Sequence, residues 1–338
     1  MKRLCLAALA LMWTASANAQ TPAAVPVTVD TYNRAESDAS FASVASRGAF
    51  GKLVHSRSLK PLDEQGVVRP NRDTLYSEGI FDLDAGPVTI TLPDSGRRYM
   101  SLQLVDQDNY VPAFYYGSGT YTLTKQNVGT RYVLVLIRTL IDPNDPKDVA
   151  EVHAVQDRIK VSQATPGKFE VPRWDRDSLV KVRKALLVLG EGIDSRNMFG
   201  TRKEVDPIKH LIGSAVGWGG APQKDAFYIL STPAKNDGTT IYKMTVPAKV
   251  PVDGFWSISL YNADGYFQKN NLDAYSLNNI TAKKNPDGSV TVQFGGCDGK
   301  IPNCLPTMKG WNYGVRLYRA RPEVLNGQWK FPEAQPVN

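Results

Sequence analysis

Val88-Thr-Ile-Thr-Leu92 alternates aliphatic residues with threonine, stops at Pro93, turns through Pro93-Asp-Ser-Gly96 and resumes as Tyr99-Met-Ser-Leu-Gln-Leu-Val105. Successive side chains on a strand point to opposite faces, so the alternation in the first run gives it one apolar face. Short β-branched and aromatic runs split by Gly/Pro turns predict antiparallel strands packed in layers. Outward from this stretch, residues 121–124 and 132–137 have the same character. Toward the N-terminus, a helix is expected from Asp30, which can cap it, to Gly48, a natural left-handed terminator.

The middle of the chain changes period. Residues 148–161 carry Val152, Val155 and Ile159 at helical spacing. A second helix opens at Asp175 and sets Leu179, Val182, Leu186 and Leu189 along one stripe before Gly190 and Gly192. Asp206-Pro207 places a cap and a first-turn proline at the head of a third, ending near Gly217. Strands return at 226–230, 240–246, 255–261, 290–294 and 313–318, with Asn285-Pro-Asp-Gly288 read as a hairpin turn before Val290. The expected fold class is mainly β with a helical middle, two antiparallel β-sandwiches and no βαβ alternation. The expected division is residues 20–170, a helical connector at 171–224, and residues 225–338.

The first residues read as a secretory signal. Lys2 and Arg3 precede the apolar run Leu4 to Trp13, which is far shorter than the roughly 20 residues of a membrane span. Ala17-Asn18-Ala19 fits the cleavage pattern, so the mature chain is expected to begin at Gln20, in the periplasm or outside the cell. Removing residues 1–19 from 338 leaves 319, enough for two domains. No later segment approaches the length of a span. The formal charge of +7 falls to +5 without Lys2 and Arg3, and it is spread along the chain without a basic run. That excludes the patch a nucleic-acid reader needs, and export argues the same way.

Cys297 and Cys304 remain after cleavage, in Gly-Gly-Cys-Asp-Gly-Lys-Ile-Pro-Asn-Cys-Leu-Pro. In an oxidising compartment this spacing favours a disulfide, worth about 2.5 kcal/mol for so short a loop. A metal site or a reactive thiol is the competing reading; the spacing is wide for a zinc knuckle and no His lies near.

Motifs for familiar chemistry are missing. Gly-x-Ser-x-Gly and a phosphate loop are absent, and Gly117-Ser-Gly119 lacks the rest of a dinucleotide fingerprint; the cofactor is unknown from sequence. Ser178-Leu-Val-Lys181 matches Ser-x-x-Lys without its companion motifs, and Lys181 is expected in solvent. His55, His153 and His210 have no zinc-site spacing. His153 and Asp157 share a helix face as an ion pair or an oriented base, and His210 is read as structural. Asp106 and Asp108, two apart at a strand end, form either a hydrated terminus or a hard-cation site.

Asn71-Arg72-Asp73-Thr74-Leu75-Tyr76 packs an amide, a guanidinium, a carboxylate, a hydroxyl and a phenol into six residues. It is either a network pinning a loop or a pocket wall, with Asp73 as base or anchor, Arg72 holding an anion and Tyr76 donating a hydrogen bond. A second cluster is aromatic: Trp218, then Trp256 and Tyr261 on opposite faces of one strand, Tyr266 and Phe267 beside Asn262, Asn270 and Asn271, then Trp311 and Tyr313. Aromatics with amides line ring- and sugar-binding clefts, and they also fill sandwich cores.

These landmarks resemble a paired family whose halves are called domains of unknown function 1254 and 1214. Asn71 to Tyr76, Asp82-Leu83, Gly86-Pro87, Arg98-Tyr99 and Asp106 carry the first half, over roughly 40–170. Gly254-Phe-Trp-Ser257, Tyr261-Asn262, Asp264-Gly265, Asn285 to Gly288, Leu305-Pro306 and Arg316-Leu-Tyr318 carry the second, over roughly 225–332. Cys304 departs from a Trp that many relatives have before Leu-Pro, which suggests a disulfide variant. The resemblance implies an immunoglobulin-like first domain and a jelly-roll-like second, and no settled activity. The expectation is therefore an exported envelope protein that binds a small organic or saccharide ligand between its domains. Asp73 and Tyr76 would serve as acid–base groups, and Asn71, Arg72, Trp218, Trp256, Tyr261 and Asn262 as binding residues. A structural or assembly protein, including a homo-oligomer, is the alternative.

Overall fold

The computed structural model describes residues 23–337, so the expected signal segment lies outside the described residues. The chain is mainly β, in antiparallel sheets, with helices gathered against one region.

Helix α1 (Tyr32–Ser46) leads to a five-stranded sheet in the order β1 (Val54–His55), β2 (Thr74–Asp82), β7 (Tyr132–Leu140), β4 (Met100–Asp106) and β5 (Phe114–Tyr116). A three-stranded sheet of β6 (Gly119–Leu123), β3 (Val88–Leu92) and β8 (Lys160–Ser162) packs on one face of it. The alternation in Val88–Leu92 is the cause: Val88, Ile90 and Leu92 turn inward onto Phe81, Leu102, Leu104, Val133, Val135 and Ile137. Helix α2 (Lys125–Val128) links β6 to β7, and α3 (Pro146–Asp157) closes the end of this core. The expected helix over 148–161 is shorter than read. Asp145 caps it at Lys147, and by Val161 the chain pairs with Ile90 as a strand.

The opposite face of the large sheet is split. Its upper half, Ile80, Val105 and Leu134, packs under α1 through Phe41 and Val44. Helices α4 (Arg176–Leu189) and α5 (Pro207–Gly217) lie on α1 through Leu179, Leu186 and Ile212. Leu189, expected on the buried stripe, is exposed at the frayed end of α4.

The C-terminal half stacks two sheets over one core. One has the order β14 (Cys304–Leu305), β13 (Val290–Phe294), β10 (Tyr242–Val246), β16 (Gln335–Pro336); the other runs β12 (Ser276–Asn278), β11 (Trp256–Tyr261), β15 (Asn312–Tyr318), β9 (Ala226–Ser231). Helix α6 (Pro322–Leu325) caps the end, with Val324 in that core. Trp311 and Tyr313 are core residues here, stacked around Phe294. Two expectations are corrected. Asn285 to Gly288 is a tight turn, with the Gly288 amide donating to the Asn285 carbonyl at 2.9 Å, but β13 pairs with β10 and β14, so the turn joins no paired strands. The β13–β14 pair is also parallel. It sits beside the Cys297–Cys304 disulfide, which settles that pair in favour of the bridge. Among the described residues, no helix is long and apolar enough to cross a membrane.

Candidate functional site: the cleft between two facing sheets

The loop before β2 is self-supporting. Asn71 Oδ1 accepts the Asp73 amide at 2.7 Å, and its Nδ2 donates to Thr74 Oγ1 at 2.8 Å and to the Tyr76 hydroxyl at 3.0 Å. An Asx turn of this kind replaces a backbone bond the loop lacks. Strand register then fixes where each side chain goes. Tyr76 lies opposite Arg138, Arg138 opposite Ser101, and Ser101 opposite Tyr116. All four point to the lower half of the sheet face that α1 leaves uncovered. In β11, β15 and β9 the register sets Ser257 opposite Arg316 and Arg316 opposite Tyr228. Their odd-face neighbours Trp256, Ile258, Val315, Leu317 and Phe227 fill the C-terminal core, so this polar row looks toward the N-terminal sheet.

The two rows meet. Asn278 Nδ2 donates to Asp73 Oδ1 at 3.2 Å across the halves, and Arg316 Nη2 donates to the carbonyls of Arg69 at 2.8 Å and Pro70 at 3.1 Å. Tyr99 packs on Phe255 and Tyr318, sealing one end with an aromatic cluster. Tyr228 keeps 45% of its surface exposed and Leu230 57%, although both lie on the face turned to the other sheet, and Tyr76 and Arg138 are partly buried. The result is a solvent-reachable cleft walled by both halves.

Its electrostatics are unusual for a protein interior. Burial alone would push the Tyr76 phenol up, but the Arg138 charge and hydrogen bonds from Asn71, Arg138 and Thr74 bring it below the ordinary tyrosine value. Arg138 is held above the ordinary arginine value: burial opposes its charge, and the surrounding phenols of Tyr76, Tyr228, Tyr318 and Tyr99 outweigh that. Tyr228 is raised by burial, with Arg316 and Arg138 pulling against the rise. Asp73, 1% exposed, is pushed up by burial, against the Arg316 charge, the Ser257 hydroxyl and the Asn278 amide. Neither Asp73 Oδ2 nor the Ser257 hydroxyl forms a well-shaped hydrogen bond. Arg316 thus faces a carboxyl that burial drives toward its neutral form, while Arg138 is surrounded by phenols.

Of the residues singled out from sequence, Asn71, Asp73, Tyr76 and Tyr261 converge at this interface. Tyr261 donates from its hydroxyl to the Pro70 carbonyl at 3.0 Å. Arg72 turns away from the cleft, bonds the Lys60 carbonyl and lies over the rings of Phe267 and Tyr275, tying its loop to the C-terminal half. Asn262 closes the turn through Tyr266 by accepting the amides of Asp264 and Tyr266. Trp218 packs edge-on against Phe41 and donates to Ser37 Oγ, under α1. Trp256 sits in the C-terminal core and touches a separate surface groove of about 670 Å3 shared with Val250 and Trp329. A second groove of similar size surrounds the Arg98–Asp148 ion pair.

Other readings close. Asp108 lies beyond the strand, paired with Arg34 and Arg202, while Asp106 accepts the amides of Asp108 and Tyr110. No group of three His, Cys, Asp or Glu among the described residues could hold a metal. Asp157 pairs with Arg57 rather than His153, and Ser178 sits in the first turn of α4, its hydroxyl donating to the carbonyl of the cap Asp175. His210 is buried, stacked on Tyr110, and its Nε2 meets the Asp108 carbonyl. Sequence reasoning missed Arg138, Tyr228 and the role of Arg316. Arg138 had a signal: a charge that follows six strand-forming residues and precedes two more that continue the strand.

This is a mainly β protein of two layered halves with a polar cleft between them. Residues 50–163 match the family described as "Protein of unknown function (DUF1254)" and residues 230–322 match "Protein of unknown function (DUF1214)". The chain belongs to the paired family that these domains define. Among curated proteins none matches. Two solved structures share the fold. The VPA0106 protein from Vibrio parahaemolyticus aligns with a TM-score of 0.70 at 20% identity, over 92% of this chain and 98% of that one. A putative uncharacterized protein from Burkholderia cenocepacia aligns with a TM-score of 0.51 at 13% identity, over 91% and 88%.

Proposed function

We propose that this is an exported protein, periplasmic or secreted once residues 1–19 are removed, that binds a small organic molecule in the cleft between its two halves. One observation carries the reading: Tyr76 and Arg138 from one sheet face Tyr228 and Arg316 from another across a gap that water reaches. A polar row facing a second polar row is an expensive way to join two domains, because unpaired buried polar groups cost about 1–3 kcal/mol each. Such a row is favourable where a ligand completes its hydrogen bonds. The tryptophans that would stack on a sugar lie in the cores, which favours an organic ligand over a saccharide.

Tyr76 is the group suited to proton transfer. Its phenol borders the cleft, and Arg138 stabilises its anionic form. Asp73 lies behind it, bonded to Asn278, and sets the loop rather than reaching the ligand. The disulfide supports export, since such bonds persist in oxidising compartments. A crystallographic fragment screen tests the reading. Fragments gathering between Tyr76 and Tyr228 support it; fragments confined to the outer grooves, with the cleft empty at saturating concentrations, reject it. N-terminal sequencing of periplasmic material should begin at Gln20.

A further inference from the structure

Resting on the cleft as a binding site, we infer that its ligand is a small organic acid whose carboxylate is taken by Arg138 and whose apolar body lies against Tyr228 and Leu230. The argument is one of hydrogen-bond accounting. Arg316 is fully committed to the protein: Nη1 donates to Ser259 Oγ at 3.0 Å, and Nη2 to the Arg69 and Pro70 carbonyls and the Tyr261 hydroxyl at 2.7 Å. Arg138 is not. Its Nη1 donates to Gln103 Oε1 at 2.6 Å and it hydrogen-bonds the Tyr76 phenol, but the charged partners around it are phenols and, among the described residues, it forms no ion pair with a carboxylate.

Gln103 is itself anchored by donating to the Gly219 and Gly220 carbonyls at 3.0 Å, so one arm of the guanidinium is fixed and its plane is set. An arginine presents its donors as a rigid fork that matches the two oxygens of a carboxylate. Taking a guanidinium out of bulk water without a counter-charge is costly, and an anionic ligand removes that cost. The field in the cleft has the right sign: the groups that raise Arg138 are phenols, and Asp73, the carboxyl beside Arg316, is buried and pushed toward its neutral form. Tyr228 and Leu230, exposed on the facing wall, supply an aromatic and an aliphatic surface opposite the fork. Leu136, between Arg138 and Leu134 on the same face of β7, is only partly buried.

Fluorine NMR of fluoroacetate and fluorobenzoate, each beside its neutral amide, with the whole mature protein tests this. The acids should broaden and the amides should not. Arg138→Met should weaken acid binding by at least about 10-fold, as expected for losing a charge-assisted pair. Arg138→Lys keeps the charge but not the fork, serves where Arg138→Met does not fold, and should also weaken it. Inorganic phosphate should compete poorly. Equal binding of acids and amides, lost in Tyr228→Ala but kept in Arg138→Met, would overturn the acid and leave the cleft as a binding site. Phosphate displacing fluorobenzoate at far lower concentration would overturn the carboxylate. Acid binding that survives both variants would place it outside the cleft and sink both readings.

Discussion

The two walls of the cleft each bring one arginine to it, and the two arginines live differently. On the C-terminal wall, Arg316 is 4% exposed and donates to four oxygens, two of them carbonyls of the opposite half. On the N-terminal wall, Arg138 is partly buried and has two side-chain partners, Gln103 Oε1 and the Tyr76 phenol. Both belong to strands that elsewhere alternate apolar residues into cores. The first guanidinium holds the halves together; the second is positioned by its strand and by Gln103, with donors left over. Burial and charge alone do not separate the two arginines. Counting partners does.

The most damaging way to probe the comparison is Arg316→Met. It leaves the Arg69 carbonyl without its donor inside the interface and removes the counter-charge that Asp73 feels. Removing one member of a buried, fully bonded polar set costs about 3–5 kcal/mol. Urea unfolding should show that loss, and a loss below about 1 kcal/mol would mean that the two arginines are alike after all.

Next in size is the disulfide. Cys297→Ser with Cys304→Ser opens a loop beside β13 and β14, in the sheet behind the C-terminal wall. The chain-entropy argument gives about 2–3 kcal/mol. If Arg316 is held by its own sheet and by residues 69–70, the reduced variant should unfold earlier yet bind the acid probes as the parent does. Binding that fell in step with stability would show that the wall depends on the layer behind it.

A third buried charge sharpens the contrast on the N-terminal side. Asp106 is bonded by two backbone amides, and burial pushes it up to about 7. A raised carboxylate pKa contributes stability that is full below the ordinary value of 3.8 and lost as pH rises through about 7. Asp106→Asn keeps an acceptor oxygen for the turn and removes the titration. Its urea midpoint should change less between about pH 5 and 8 than the parent's, with a gain of about 1 kcal/mol at the upper end. An unchanged slope would show that the turn amides hold the carboxylate ionised throughout.

How much of this was legible beforehand follows from the same physics. Val88 to Leu92 reads as a strand because its alternation is local, and the caps Asp175 and Asp206 with the stop at Gly48 fix helix ends for local reasons. Asn71, Asp73 and Tyr76 stood out because one loop holds them all. Arg138 and Tyr228 did not, since each is a single residue in an apolar strand, and what brings them together is the face that each sheet turns to the other. Trp256 and Trp218 misled for the converse reason: an aromatic looks alike in sequence whether it fills a core or lines a cleft. Here register sends Trp256 inward with Ile258, and Trp218 goes under α1 with Phe41.

The smallest expected change in stability comes from Arg138→Met. The bonds to Gln103 and to the Tyr76 phenol are lost, and Gln103 remains tied to the Gly219 and Gly220 carbonyls. A net loss below about 1 kcal/mol is expected, because a neutral side chain also ends the cost of holding a charge away from water. The same substitution has a spectroscopic signature. Arg138 is the largest influence holding Tyr76 below the ordinary tyrosine value, so phenolate absorbance should lose its earliest-titrating tyrosine, and Tyr76→Phe should remove the same step without further effect in the double variant. A variant that keeps its stability, loses that titration and loses the acid probe would place Arg138 apart from Arg316. A loss of about 3 kcal/mol or more would instead make it a second structural clamp, and the cleft would need another recognition group.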